Sequence, residues 1–200
     1  MFKKTLIIKC LAGLSLVLAT ATPDIAYTQT KGSSSNNKDL KVSLEPLAGF
    51  ETLYRPYPSP HTLTRTMYGA RIIVGSELLS GEAEYTKGND IENFLTAPEK
   101  IETKDDKYKL GLRSSYKLTD WLCSAVRLGG QAIQSTVTET NNGVPTTTTK
   151  PIEYHPYLGA QLGAKFGPIT ISVGATAVIR DTSNISNNDI QHTLSINLGK

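Results

Sequence analysis

Apolar and polar residues alternate with a period of two through most of the chain from Lys41 onward, and this pattern constrains the fold more than any other feature. Eight segments carry it, and none sustains the period of an amphipathic helix. They are residues 41–55, 61–75, 79–87, 107–118, 122–131, 152–166, 169–180 and 190–198. Eight long segments of this kind predict an all-β chain with an even number of strands.

The connections between these segments alternate in length. Residues 75–78, 118–121 and 166–169 are tight turns, whereas residues 56–60, 88–106, 139–150 and 181–189 are longer and polar. Strands that run up and down in sequence would place every short turn at one end and every long loop at the other. The pattern therefore predicts an eight-stranded antiparallel up-and-down barrel.

Alternation gives each strand an apolar and a polar face without saying which face points outward. Aromatic residues on the apolar faces gather near strand ends, as expected for the two interfaces of a membrane barrel. Tyr54, Tyr85, Tyr108 and Tyr154 lie near the long loops, and Tyr116, Trp121 and Phe166 lie near the short turns. We therefore predict a transmembrane β-barrel with its apolar face outward. The alternative is a soluble periplasmic or secreted lipocalin-like barrel, in which the apolar face would bind a small apolar ligand.

The polar faces mix glycine and serine with charges of both signs, which suits a narrow eight-stranded lumen. The inward charges that we expect to pair across strands are Glu45, Glu51, Arg65, Arg71, Glu82, Glu84, Arg113 and Arg127. We predict that they fill the lumen as a charge-paired plug. A proton or ion path through the same residues is the alternative.

The N-terminus has the pattern of a secretory signal, with Lys3, Lys4 and Lys9 before an apolar run and a small-residue site at residues 19–21. We expect a signal peptide at residues 1–21, a flexible polar tether at 22–40 and the barrel at 41–200. Cleavage would remove three of 21 basic residues and none of 18 acidic ones, so 18 of each would remain. The formal charge of +3 therefore belongs to the signal, and we predict no nucleic-acid partner.

Stretches such as GLRSSYKLTDW and LGAQLGAKFGPITISVGA resemble the strand-turn-strand units of small eight-stranded outer-membrane proteins, such as the OmpA transmembrane domain, OmpX and the opacity proteins. The resemblance covers about residues 41–200. It implies a bacterial outer-membrane protein in contact with lipid and lipopolysaccharide, with both termini in the periplasm. Loops on a rigid scaffold are where such barrels bind, so we expect a structural or adhesive surface-display role. Ile91, Phe94 and Leu95, in the longest loop, are the candidate contacts for a host or cell-surface protein.

The sequence carries no catalytic constellation that we recognise. His155 lies beside Glu153, His192 and Ser195 have the wrong parity for one strand face, and His61 lies in a proline-rich loop. Three scattered histidines and Cys123 do not form a metal site. We therefore predict no enzyme activity, no metal and no cofactor, although a lipid-modifying enzyme stays open as a third class.

Overall fold

The computed structural model describes residues 41–76, 78–95, 98–184 and 187–197. The signal-peptide and tether predictions lie outside these residues, as do the last three residues of the predicted barrel. The described part contains nine strands. They are β1 (Lys41–Arg55), β2 (His61–Gly75), β3 (Ser80–Asn93), β4 (Lys100–Lys117), β5 (Leu122–Asn141), β6 (Val144–Thr149), β7 (Glu153–Phe166), β8 (Ile169–Val178) and β9 (Asp189–Asn197). The described residues include no helix with the length and hydropathy of a membrane span.

Eight of the nine strands close into one antiparallel barrel. Each barrel strand pairs with the next barrel strand in the chain, so β5 pairs with β7. The short strand β6 is not one of the eight and pairs with the end of β5. Pairing between β1 and β9, from Leu47 with Ser195 to Thr52 with Ile190, closes the seam. The predicted fold class, an eight-stranded antiparallel up-and-down barrel, is confirmed.

The ninth strand, β6, lies in a segment that the sequence predicted as loop. Its residues pair with the last residues of β5, from Thr136 with Thr149 to Asn141 with Val144. Asn142 and Gly143 form the two-residue turn, with positive φ angles of 51° and 75°. Asn-Gly is the preferred pair for such a turn because both positions need left-handed backbone. The prediction of a loop at residues 139–150 is therefore wrong, because this segment forms a β-hairpin.

The predicted loop at 88–106 is also mostly strand. β3 continues to Asn93 and β4 begins at Lys100, so only residues 94–99 connect them. Ile91 consequently lies on β3 and not in a loop, whereas Phe94 and Leu95 lie in the connection. The alternation was invisible here because both faces of these strand ends carry polar residues.

The two ends of the barrel differ as predicted. The β2–β3, β4–β5 and β7–β8 connections are short and lie at one end, which we call the turn end and which also holds Lys41 and Asn197. The longer connections lie at the other end, the loop end. They are residues 56–60, 94–99, the β5–β6 hairpin with residues 150–152, and residues 179–188.

The barrel has its apolar face outside and its polar face inside. Val42, Leu110 and Val173 are 64%, 69% and 58% exposed, whereas Arg71 and Lys109 are each 1% exposed. Inward-facing Leu47, Met67 and Ile133 add a smaller apolar component to the interior. This arrangement contradicts the lipocalin-like alternative, which needs an apolar cavity and a polar exterior.

A charge-paired lumen and a projecting wall

Arg71 on β2 organises the charges nearest the turn end. Its Nε donates to Glu84 at 2.8 Å, and its Nη1 donates to Glu45 at 2.7 Å. Nη1 also reaches Gln161 on the far side of the barrel at 3.3 Å. Because β2 lies between β1 and β3, the inward register brings Glu45, Arg71 and Glu84 into one row.

Three further cations complete this group. Arg127 on β5 donates to Glu82 at 2.7 Å and to Glu84 at 2.7 Å. Lys109 donates to Glu84, and Arg113 contacts Glu45 at 3.3 Å. We call Glu45, Arg71, Glu82, Glu84, Lys109, Arg113 and Arg127 the turn-side cluster, and all seven are buried.

Tyr157 on β7 adds a neutral donor to the turn-side cluster. Its hydroxyl donates to Glu82 at 2.7 Å, and the Arg127 guanidinium lies 5.6 Å from its ring centre. Gly111 on β4 makes room for it, since a Cβ at that position would lie 2.2 Å from the Tyr157 hydroxyl. Glycine at this inward position therefore permits the contact.

A second group of charges lies toward the loop end and centres on Arg65. Its Nε donates to Glu51 at 2.6 Å, its Nη1 donates to Asp90 at 2.5 Å, and its Nη2 donates to Asp105. Lys107 also donates to Glu51. We call Glu51, Arg65, Asp90, Asp105 and Lys107 the loop-side cluster, and all five are buried.

Gln191 on β9 joins the two clusters. Its Oε1 accepts a hydrogen bond from Lys109 at 2.6 Å, and its Nε2 donates to Glu51 at 3.2 Å. The hydrogen-bonded chain therefore runs from Glu45 to Asp105 along the lumen. Charge-assisted hydrogen bonds of this kind are roughly twice as strong as neutral ones.

All eight ionisable residues singled out in the sequence point inward in the structure. Sequence reasoning missed Lys107, Lys109, Asp90 and Asp105. The alternation along β4 places both lysines on the same face as Arg113, so the sequence already contained the information that they point inward. Asp90 and Asp105 were missed because they fall in the segment interpreted as a loop.

The aromatic residues expected at the membrane interfaces lie on the outer surface. Tyr85, Tyr108, Tyr116, Trp121, Tyr154 and Phe166 are exposed, and Tyr54 is half-buried. Tyr85 pairs with Tyr108, whose ring centre is 5.1 Å away, and Tyr108 and Tyr154 both pair with Ala132. Three tyrosines thus lie along one line of paired residues near the loop end.

A four-stranded sheet continues past the barrel at the loop end. β3 pairs with β2 only as far as Gly88, and β5 pairs with β7 only as far as Ile133. Beyond these points residues 89–93, 100–104, 136–141 and 144–149 pair only with one another. We call this sheet, with Phe94 and Leu95 at its tip, the projecting wall. Ile91 and Leu95 are 52% and 106% exposed on it, and Phe94 is half-buried.

No protein-family model matches the sequence, and no curated protein is similar to it in sequence. Solved structures do match the fold. Ail, the attachment invasion locus protein of Yersinia pestis, solved with the heparin analogue sucrose octasulfate, matches with a TM-score of 0.55 at 7% identity, over 80% of this chain and 99% of that one. Neisserial surface protein A matches with a TM-score of 0.52 at 7% identity, over 78% and 95% of the two chains. The N-terminal barrel of Pseudomonas aeruginosa OprF matches with a TM-score of 0.50 at 12% identity, over 79% and 97%.

The chain has the fold of the small eight-stranded outer-membrane β-barrels. The resemblance inferred from the strand-turn-strand stretches is thereby confirmed. With identities this low, the fold is what the chains share.

The histidines of this outer-membrane-type barrel lie apart from one another. His61 is the first residue of β2 rather than part of a loop, and its Nε2 lies 2.6 Å from Glu92. His155 lies 3.3 Å from Glu153, and His192 stacks outward on Phe50 at 4.9 Å. Ser195 faces inward, so it lies on the opposite face of β9 from His192. The described residues contain no group of three or more His, Cys, Asp or Glu placed to hold a metal ion.

Proposed function

We propose that this protein resides in a bacterial outer membrane, that its lumen is closed by charge pairs, and that its projecting wall attaches the cell to other surfaces. The single observation that carries this proposal is the inverted barrel itself, with aliphatic side chains outside and two ion-pair clusters inside. Hydrocarbon is the solvent in which that arrangement is favourable.

Residence in the membrane is supported by the outer surface. Aliphatic residues such as Leu110 and Val173 stay exposed between the tyrosines near the loop end and Trp121 near the turn end. Exposed lysines, including Lys87 and Lys104, follow beyond the tyrosines, where lipopolysaccharide phosphates would lie. Cell fractionation and a gel comparison of boiled with unboiled protein test this proposal. We expect sedimentation with outer membranes and a shift in mobility on boiling; recovery in the soluble fraction would contradict it.

Closure of the lumen is supported by the two clusters and the Gln191 link. Side chains from opposite walls meet at hydrogen-bond distance, as Arg71 does with Gln161 at 3.3 Å and Lys109 with Gln191 at 2.6 Å. Conductance of purified protein in planar lipid bilayers tests it. We expect no steady large pore, whereas a stable conductance of that kind would favour the ion-path alternative.

The attachment role is supported by the projecting wall. It extends beyond the barrel and carries exposed apolar side chains, with Leu95 wholly exposed and Ile91 52% exposed. Two of the structural neighbours are, by name, an attachment invasion locus protein and a surface protein, and the first was solved with a heparin analogue.

The attachment role is tested by substituting the tip of the wall. Deleting residues 88–106 would remove Asp90 and Asp105, which form ion pairs with Arg65, so a milder change is needed. We expect Phe94→Ser with Leu95→Ser to reduce adhesion of expressing cells to epithelial monolayers and to heparin-coated plates. Leu78→Ser with Leu79→Ser is the matched control, because these residues are 67% and 59% exposed at the opposite end. Equal adhesion by both variants and the parent would contradict the role.

A further inference from the structure

A cup opens at the turn end of the barrel. It has a volume of about 480 Å³, and its lining includes Arg113, Cys123, Lys165 and Ser172. Gly163 leaves space for the thiol, since a Cβ there would lie 2.9 Å from the Cys123 Sγ. The cup is therefore a formed cavity with polar side chains on its floor.

In the turn-side cluster, which borders the cup, cations outnumber carboxylates. The turn-side cluster contains the three carboxylates of Glu45, Glu82 and Glu84, and four cations, all buried. Of these four cations, Arg113 is the one that also lines the cup. Arg113 shares the Glu45 carboxylate with Arg71, and its contact of 3.3 Å is longer than the 2.7 Å of Arg71, so a further anion arriving beside Arg113 is favoured.

The wall of the cup carries more positive charge. Among the described residues, Lys165 lines it together with Arg113, Lys41 and Lys117, and Glu45 and Asp120 are the carboxylates in the lining. Glu45 already accepts from Arg71 and Asn197, and Asp120 lies 2.8 Å from Lys117. Serine and threonine hydroxyls, including those of Ser43, Ser172 and Thr170, supply neutral donors around these charges.

From the cavity and this charge imbalance, we propose that the cup binds small oxyanions of the carboxylate or phosphate class, with Arg113 and Lys165 as the principal ligands. The binding depends only on the cavity and its charges. That such anions would come from the periplasm rests on the membrane orientation given under the proposed function.

Cys123 provides a reporter inside the cup. The full chain carrying Cys10→Ser, folded in detergent micelles, has Cys123 as its reacting thiol. It is treated with the anionic 2-sulfonatoethyl or the cationic 2-(trimethylammonium)ethyl methanethiosulfonate, each of which forms a mixed disulfide and releases methanesulfinate. Rates are divided by those of the same reagents with a free thiol in solution. We expect the anionic reagent to be favoured about threefold to tenfold at low salt.

Two comparisons separate binding in the cup from diffuse charge. Lys165→Glu should abolish the preference, whereas Lys104→Glu, the same charge change on an exposed lysine of the projecting wall, should keep it. Sodium phosphate and sodium acetate should each slow the anionic reagent more than sodium chloride does at equal ionic strength, and the stronger competitor of the two identifies the preferred oxyanion. A normalised ratio of one or less, no reaction with either reagent, or equal slowing by all three salts would overturn the proposal. Because these measurements use micelles, they are independent of whether the protein resides in an outer membrane.

Discussion

The two halves of the lumen are built from different residues. β1 to β5 supply the long charged side chains, whereas the middle of β7, β8 and β9 supplies Gly159, Gly163, Ser172, Thr176 and Ser195. We call the β1–β5 side the charged half and the β7–β9 side the small half. Arg71 and Lys109 of the charged half donate hydrogen bonds to Gln161 and Gln191 of the other half. Large side chains opposite small ones fill a narrow barrel without voids, and here the large ones carry charge.

The largest expected effect is loss of the central cation of the charged half. Arg71→Met leaves Glu45 and Glu84 buried with fewer partners, and we expect it to lower the free energy of unfolding by about 3–5 kcal/mol. Urea unfolding in detergent micelles, followed by tryptophan fluorescence of Trp121, measures the change. Ser172→Ala, a buried substitution in the small half, is the control and should cost about 1 kcal/mol or less. A smaller effect for Arg71→Met than for Ser172→Ala would show that the comparison of halves is wrong.

Adding volume to the small half should cost less. A Cβ at Gly159 would lie 2.8 Å from the Thr176 Oγ1 and 3.1 Å from the Ala175 carbonyl oxygen. We expect Gly159→Ala to destabilise the barrel by about 1–3 kcal/mol through overpacking. Combining it with Thr176→Ala removes the nearer atom and should recover part of the loss in the same urea experiment. No coupling between the two substitutions would argue against close packing in this half.

Tyr157, like Gln161, is a polar side chain of β7 that hydrogen-bonds a charged residue on the opposite strands. Tyr157→Phe keeps the ring beside Arg127 and removes the hydroxyl that donates to Glu82. Because Glu82 keeps its bonds to Arg127, we expect a loss of about 1–2 kcal/mol. The Glu82→Gln variant should make Tyr157→Phe less costly in a double-mutant cycle. Additive effects would show that the hydroxyl and the carboxylate are not coupled.

The smallest effect is expected in the loop between β8 and β9. Asp181 accepts from the Ser183 backbone at 2.8 Å, the Ser183 hydroxyl at 2.6 Å and the Asn187 side chain at 3.0 Å. These donors, led by the Ser183 hydroxyl, hold the pKa of the Asp181 carboxyl below its usual value. The ordering that Asp181 gives is therefore complete above its normal pKa and is lost as the pH falls through the lowered pKa. Amide NMR shifts of Ser183 against pH report this, and Asp181→Asn should remove the titration; a titration that persists in Asp181→Asn would exclude this carboxyl as its source.

The period-two pattern predicted the barrel because a strand whose two faces meet different surroundings carries apolar and polar residues at alternate positions. It failed at the strand ends that carry Asp90, Ile91 and Asp105, because these strand ends have polar residues on both faces. The eight inward charges followed from parity alone. Their partners did not, because the meeting of Arg65 with Asp90 and of Arg71 with Gln161 depends on register and on the curvature of the closed sheet.

The seam between β1 and β9 sets an order of events for biogenesis. It joins the first and last strands of the barrel, and Asn197 at its end contacts Ser43 and Glu45. An open seam in hydrocarbon would leave two rows of unpaired backbone groups and expose the inward charges to lipid. In the membrane location proposed above, insertion and closure therefore have to occur together, and a chain that stalls before residue 189 would lack the strand that closes the seam.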